Sequence, residues 1–156
     1  ILSLLVLAIY NRSQGLNFIV NRRSGMLLSV ENGSFENGAG IVQLRNSGAE
    51  SQKWDVSSFN EDGQRYYVFR AGHSGKALEV PNFSKRNDLQ LIQNEHNGGH
   101  NQQFIVSATS GGFFRLVPRH SLMFVQVRGS SQSQGAAVIQ GKKKRTQSME
   151  WRFGRA

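Results

Sequence analysis

The sequence repeats one short pattern three times, and this repetition limits the fold more than its composition does. Segments related to Ser-Gly-x-x-Leu-x-Val occur at residues 24–30, 74–80 and 121–127. The fifth residue of each copy precedes an aromatic residue by 26 positions, and these aromatic residues are Trp54, Phe104 and Trp151. Apolar segments that end in glutamine lie between them in register, at 41–43, 91–93 and 138–140. Periods of 50 and then 47 residues predict one supersecondary unit used three times.

Each unit consists of short segments rich in β-branched and aromatic residues, separated by Gly, Asn and Ser. In the second unit these segments lie at 67–70, 77–80, 89–93 and 103–106. This spacing is typical of an all-β barrel or sandwich, and no segment keeps a helical apolar period with capping signals. One unit cannot bury its apolar face alone, so three units of four strands, twelve in all, should share a core. We expect the three repeated aromatic residues to anchor that core.

The length of the chain predicts a single domain over residues 1–156, with repeats at about 5–57, 58–107 and 108–156. The chain has no cysteine, so packing and backbone pairing must supply its stability.

Residues 1–9 are nearly all apolar and are too short to span a bilayer. We interpret residues 5–10 as the opening strand, and the remnant of a secretory signal is the alternative. Three Asn-x-Ser triplets are compatible with a secreted protein, and a cytoplasmic location stays open.

Three segments that follow the repeated pattern carry a resemblance to a known family. They are Ser51-Gln52-Lys53-Trp54, Asn101-Gln102-Gln103-Phe104 and Met149-Glu150-Trp151. The pattern resembles the Gln-x-Trp repeat of the ricin B-type β-trefoil lectins, from about residue 18 to residue 153. This resemblance implies a β-trefoil with up to three sugar pockets, one in each unit.

In that family a carboxylate follows the repeated Leu, an aromatic ring on the third strand stacks on the sugar, and an Asn-Gln pair adds hydrogen bonds. The carboxylate position here holds Ser29, Glu79 and Gln126, and no unit has the aromatic ring. Only the second unit keeps both a carboxylate and a complete Asn-Gln pair. We therefore expect degenerate sites, with the best pocket in the second unit. Its predicted residues are Glu79 as the hydroxyl acceptor, Asn101 and Gln102 as supporting groups, Ile92 or Asn94 as the floor, and His96 or His100 as a stacking surface.

The positive charge of the chain, formally +9, is concentrated in loops. The densest cluster is Lys142, Lys143, Lys144 and Arg145, which we predict to be an anion site; a solvated loop is the other interpretation. This cluster supports an alternative function, a basic module that binds anionic glycans or acidic protein and membrane surfaces. Nucleic acid is not an expected partner, because exposed aromatic residues do not alternate with the basic clusters.

The sequence offers little for catalysis or for a cofactor. It has no cysteine nucleophile, its four histidines fall in turns without metal-ligand spacing, and no glycine-rich loop precedes a helix. We predict a non-enzymatic protein without cofactor or metal. Its expected partners are glycans or glycoproteins, including sulfated or sialylated ones, and homo-oligomers would raise weak affinity by avidity.

Overall fold

The computed structural model describes residues 15–156 and has four strands in each unit, as predicted. The first unit contains β1 Asn17–Asn21, β2 Leu27–Val30, β3 Ile41–Leu44 and β4 Trp54–Glu61. The second contains β5 Gln64–Ala71, β6 Ala77–Glu79, β7 Leu89–Gln90, β8 Ile92–Asn94 and β9 Phe104–Ala108. The third contains β10 Phe114–Pro118, β11 Phe124–Val127, β12 Val138–Gly141 and β13 Trp151–Arg155. The strand predicted at residues 5–10 lies outside the described residues.

The third strand of the second unit is divided at Leu91 into β7 and β8, so the twelve predicted strands occur as thirteen segments. Leu91 N–H donates to the carbonyl of Val138 at 3.0 Å, and the Leu91 carbonyl accepts from Ile41 N–H at 2.9 Å. These three residues hold equivalent positions in the three units. The interruption therefore marks the place where the units bond to one another.

The first and fourth strands of the three units form a closed antiparallel barrel. The pairing runs β1–β4–β5–β9–β10–β13 and returns from β13 to β1. The second and third strands pair as the hairpins β2–β3, β6–β8 and β11–β12. This arrangement is a β-trefoil, and closure leaves no barrel strand with an open edge.

The repeated aromatic residues meet in the core, where Trp54, Phe104 and Trp151 are all 0% exposed. The Trp54 indole N–H donates to the carbonyl of Leu28, and that of Trp151 donates to the carbonyl of Val125, both at 2.9 Å. A buried indole N–H needs such an acceptor. The fixed spacing of 26 residues is therefore the spacing of a donor and its acceptor.

Each unit is also tied to another unit by the glutamine of its third strand. The Gln43 side-chain amide donates to the carbonyls of Ser131 and Ser133, at 3.0 and 2.8 Å. Gln93 and Gln140 repeat this contact with the carbonyls of residues 34 and 36 and of residues 84 and 86. The buried glutamines thus act as clamps between units.

Helical structure in residues 15–156 consists of short 3₁₀ turns, as the sequence predicted. They are η1 Glu31–Gly33, η2 Glu50–Gln52, η3 Pro81–Phe83, η4 His100–Gln102, η5 Arg128–Ser130 and η6 Gln147–Met149. None of the helices found in this part of the chain is long and apolar enough to cross a membrane.

Candidate functional site

The best predicted pocket lies on the β6–β8 hairpin of the second unit. Leu78 is fully buried in the core, and because side chains alternate along a strand, the neighbouring Glu79 faces away from it. Ile92 lies directly opposite Glu79 in the hairpin, and Asn94 lies opposite Ala77. The register therefore brings Glu79, Ile92 and Asn94 to one end of the second unit.

The Glu79 carboxylate is 4% exposed and accepts hydrogen bonds from two side-chain amides. Gln102 Nε2 donates to Oε1 at 2.9 Å, and Asn94 Nδ2 lies 3.2 Å from Oε2 and 3.4 Å from Oε1. A buried carboxylate requires such donors. A carboxylate has about four acceptor positions, so two amides leave capacity for a ligand hydroxyl. The longer Asn94 bonds are the contacts that such a hydroxyl would displace most easily.

Gln102 has a second role, because it holds the loop between β8 and η4. Its Nε2 also donates to the Glu95 carbonyl at 2.8 Å, and its Oε1 accepts from Asn97 N–H at 3.0 Å. In the first unit Gln52 holds the corresponding loop through the Arg45 carbonyl and Ser47 N–H. The glutamine of the repeated triplet is therefore partly a structural residue.

Asn101 bonds to the end of the hairpin and makes no hydrogen bond with Glu79. Its Nδ2 donates to the Val80 carbonyl at 2.9 Å, while its buried Oδ1 has no partner among the described residues. A Cβ on Gly99 would lie 2.7 Å from this Oδ1, so a side chain at position 99 would displace the Asn101 amide. Asn101 thus positions η4 against the strand that carries Glu79.

A cleft of about 340 Å³ lies at the loop that follows β8, and Glu79, Ile92, Asn94, Asn101 and Gln102 are not in its lining. The predicted residue His96 lines it and is exposed, so its imidazole face is available to a ligand. The other lining residues are Arg70, Ser74, Gly75, Lys76 and Glu95. These five residues were not among the predicted ones. The Ser-Gly turn before β6 could have indicated them, because β8 pairs with β6 and brings Glu95 and His96 alongside that turn.

The positions equivalent to Glu79 in the other two units lack a carboxylate acceptor. Ser29 donates to the Leu27 carbonyl at 2.8 Å and is fully buried. Gln126 Nε2 donates to the Lys142 carbonyl at 3.0 Å, while its Oε1 is buried without a partner. Met149 replaces the loop-holding glutamine, and its sulfur accepts from Lys144 N–H at 3.3 Å.

The predicted basic cluster lies in the loop after β12, and its four side chains are exposed. It borders a second cleft, of about 240 Å³. The lining residues are Arg115, Lys143, Lys144, Arg145, Thr146, Gln147 and Glu150. Arg115 comes from strand β10 and was missed, because it is far from the cluster in sequence.

Two further features concern the remaining ionisable groups. Within residues 15–156 no group of three or more His, Asp or Glu side chains is placed to hold a metal ion. Burial raises the pKa of Tyr67 above its ordinary value of 10.0, and the charge of Arg65 opposes this effect. Tyr67 belongs to the barrel wall and lines neither cleft.

The comparisons with known proteins agree with this architecture. A family model described as "Ricin-type beta-trefoil lectin domain-like" matches residues 50–141. The designed 3-fold symmetric protein ThreeFoil is 39% identical, with a TM-score of 0.83 over 89% of this chain and 97% of that chain. The exo-beta-1,3-galactanase 1,3Gal43A from Clostridium thermocellum is 30% identical, with a TM-score of 0.84 over 91% of this chain but 30% of that chain.

A ricin B-like lectin from Macrolepiota procera, solved in complex with lactose, shares the fold at 15% identity, with a TM-score of 0.72 over 91% of this chain and 96% of that chain. A search of curated proteins found no match. These similarities confirm the predicted β-trefoil.

Proposed function

Because the chain belongs to the ricin-type beta-trefoil lectin domain-like family, we propose that it is a non-enzymatic lectin whose best sugar site is the cleft of the second unit. The family itself and the resemblance to ricin B-like lectins are established by the matches above.

The single observation that carries the site is the Glu79 carboxylate with two amide partners and spare acceptor capacity. Hydroxyl recognition in water needs an acceptor that is held in place, and Gln102 fixes Glu79. A sugar hydroxyl would donate to Glu79 Oε2 in place of Asn94 Nδ2. The Asn94 amide would then donate to the sugar. His96 would cover one face of the ring in place of the absent aromatic residue.

The site is built for a neutral sugar of modest affinity. The cleft lining carries Glu95 together with Arg70 and Lys76, and the Glu79 carboxylate lies outside the lining. These charges balance, so the site has no excess of positive charge that would favour an acidic ligand. The solved complex of the Macrolepiota procera lectin with lactose supports a neutral glycan as the ligand class.

The test is a glycan array followed by titration of the best neutral glycan with the wild-type protein and Glu79→Gln. The substitution keeps the shape but replaces a charged acceptor by an amide, so affinity should fall by about tenfold or more. Glu36→Gln is the matched control, because it removes the same charge from an exposed position in the first unit. Wild-type affinity in a folded Glu79→Gln variant would show that the site is elsewhere.

A second candidate function uses the exposed cluster at residues 142–145. Its four cations favour anionic ligands, and a module that bound acidic glycans or acidic surfaces would need no second-unit site. Retention on an immobilised sulfated polysaccharide, with elution by salt, distinguishes this function from neutral-sugar binding.

A further inference from the structure

The loop after the third strand differs in charge between the second and third units, and it contributes to a cleft in each. His96 and its equivalent Lys143 both line a cleft, whereas the rest of the two linings comes from different positions of the unit. At the positions of Glu79 and Glu95 the third unit has Gln126 and Lys142, according to the repeat spacing. Likewise His96 and Asn97 are replaced by Lys143 and Lys144. The same part of the repeated unit therefore presents carboxylates in one copy and cations in another.

The cations around the third-unit cleft have no ion-pair partners among the described residues. Arg115, Lys143, Lys144 and Arg145 take part in none of the four salt bridges found there. The one carboxylate of the lining, Glu150, already accepts from Arg22 at 2.9 Å and from the Thr109 hydroxyl at 3.1 Å. The cleft therefore carries an excess of unmatched positive charge.

Arg115 provides a guanidinium donor in this cleft. It lies on barrel strand β10 between Phe114 and the fully buried Leu116, and its Nε is buried without a partner. Its terminal guanidinium nitrogens are neither hydrogen-bonded nor buried, so they remain available to a ligand. Guanidinium groups bind sulfate and carboxylate oxygens through paired hydrogen bonds.

From these observations we propose that the third-unit cleft binds the sulfate or carboxylate group of an acidic glycan, with Arg115 as the anchoring residue. Lys143, Lys144 and Arg145 supply the remaining charge. A cleft of about 240 Å³ is smaller than the roughly 300–1,000 Å³ of pockets for drug-sized ligands, so it suits one sugar residue with its acidic group. The proposal relies on lectin function only for the glycan nature of the ligand.

An acidic glycan fits this concave site better than a flat anionic surface does. Arg115 reaches the cleft from strand β10 and the lysines reach it from the loop after β12, so a ligand that contacts both must lie between the strand and the loop. A membrane surface would contact only the exposed lysines and would not depend on Arg115. Dependence on Arg115 is therefore the property that separates the two kinds of ligand.

The experiment titrates a sulfated oligosaccharide, its chemically desulfated form and a sialylated oligosaccharide by calorimetry at low and high salt. The wild-type protein should prefer the sulfated or the sialylated ligand over the desulfated one, and salt should weaken that binding. Arg115→Gln and the double variant Lys143→Gln/Lys144→Gln should each lose about tenfold or more in affinity. Arg115→Lys should lose part of the affinity, because it keeps the charge but not the paired donors.

The matched control is Lys85→Gln/Arg86→Gln, which removes the same charge from exposed positions outside both clefts. Equal losses in the two double variants would overturn the proposal, because they would indicate attraction by net charge alone. Equal binding of the desulfated ligand would also overturn it. So would acidic oligosaccharides bound as tightly by Arg115→Gln as by the wild type, because the exposed lysines alone, as at an anionic surface, would then account for the binding. Glu79→Gln should leave acidic-glycan binding unchanged, so failure of the second-unit site is distinguishable from failure of this one.

Discussion

At the scale of the single residue, the third copy of the repeated turn shows how the units have diverged. Gly25 and Gly75 adopt φ of 73° and 70°, and the third copy has Leu122 there, at φ of 58°. A leucine in this left-handed region is strained, whereas glycine is not. Leu122 is 63% exposed, so few packing contacts offset the strain.

Replacing this leucine by glycine should stabilise the protein. Relief of left-handed strain outweighs the added flexibility of the unfolded chain, and we expect Leu122→Gly to raise the unfolding free energy by about 0.5–1 kcal/mol. Urea denaturation measures the change. The reverse substitution Gly25→Leu should destabilise, because nothing lies within 4 Å of a Cβ at that position and only the backbone strain changes. A less stable Leu122→Gly variant would contradict this explanation.

At the scale of the element, the glutamine clamps decide how one unit is held by another. Gln93 and Gln140 donate to equivalent pairs of carbonyls. They differ in one bond, because Gln93 Oε1 accepts from the Ser74 hydroxyl at 2.9 Å while Gln140 Oε1 is buried without a partner.

This difference predicts that the same substitution lowers the unfolding free energy by different amounts at the two positions. Gln93→Ala and Gln140→Ala should both destabilise, and Gln93→Ala should cost about 1 kcal/mol more, the usual contribution of one hydrogen bond. Denaturant unfolding of the two variants measures the gap. Equal costs, or a larger cost at position 140, would show that the Ser74 bond does not contribute.

The hairpins and the core rings could be predicted from sequence because their signals are local and repeat three times. The structure adds that the spacing of 26 residues separates each buried indole donor from its carbonyl acceptor. What could not be predicted were contacts between elements far apart in the chain. Arg115 and Lys143 come together only because strand β10 and the loop after β12 line the same cleft. Repeat spacing aligns equivalent positions but does not tell which neighbouring unit they touch.

At the scale of the whole molecule, stability depends on a barrel that holds itself closed without disulfides. Tyr67 is part of this barrel, pairing with Ser58 on β4 and with Phe104 on β9. Its side chain is 2% exposed, and its raised pKa means that the folded state favours the neutral phenol.

The protein should therefore lose stability in alkali. Below pH 10 the phenol is neutral in both states; above it the unfolded chain releases the proton first, so the unfolding free energy falls as pH rises. The slope for one proton is at most about 1.4 kcal/mol per pH unit. Urea denaturation of wild type and Tyr67→Phe between pH 8 and pH 11 tests this, since the variant should decline less steeply above about pH 10. Parallel curves over the whole range would contradict it.

Barrel closure also has a consequence for the order of the units. Strands β1 and β13 pair from Asn17 with Arg155 to Asn21 with Trp151, so the first and third units adjoin just as consecutive units do. The backbone of Ala156 even donates to the carbonyl of Leu16 at 2.9 Å. The order of the units along the chain does not decide which units pair. A permuted chain that started at the second or third unit should therefore form the same barrel.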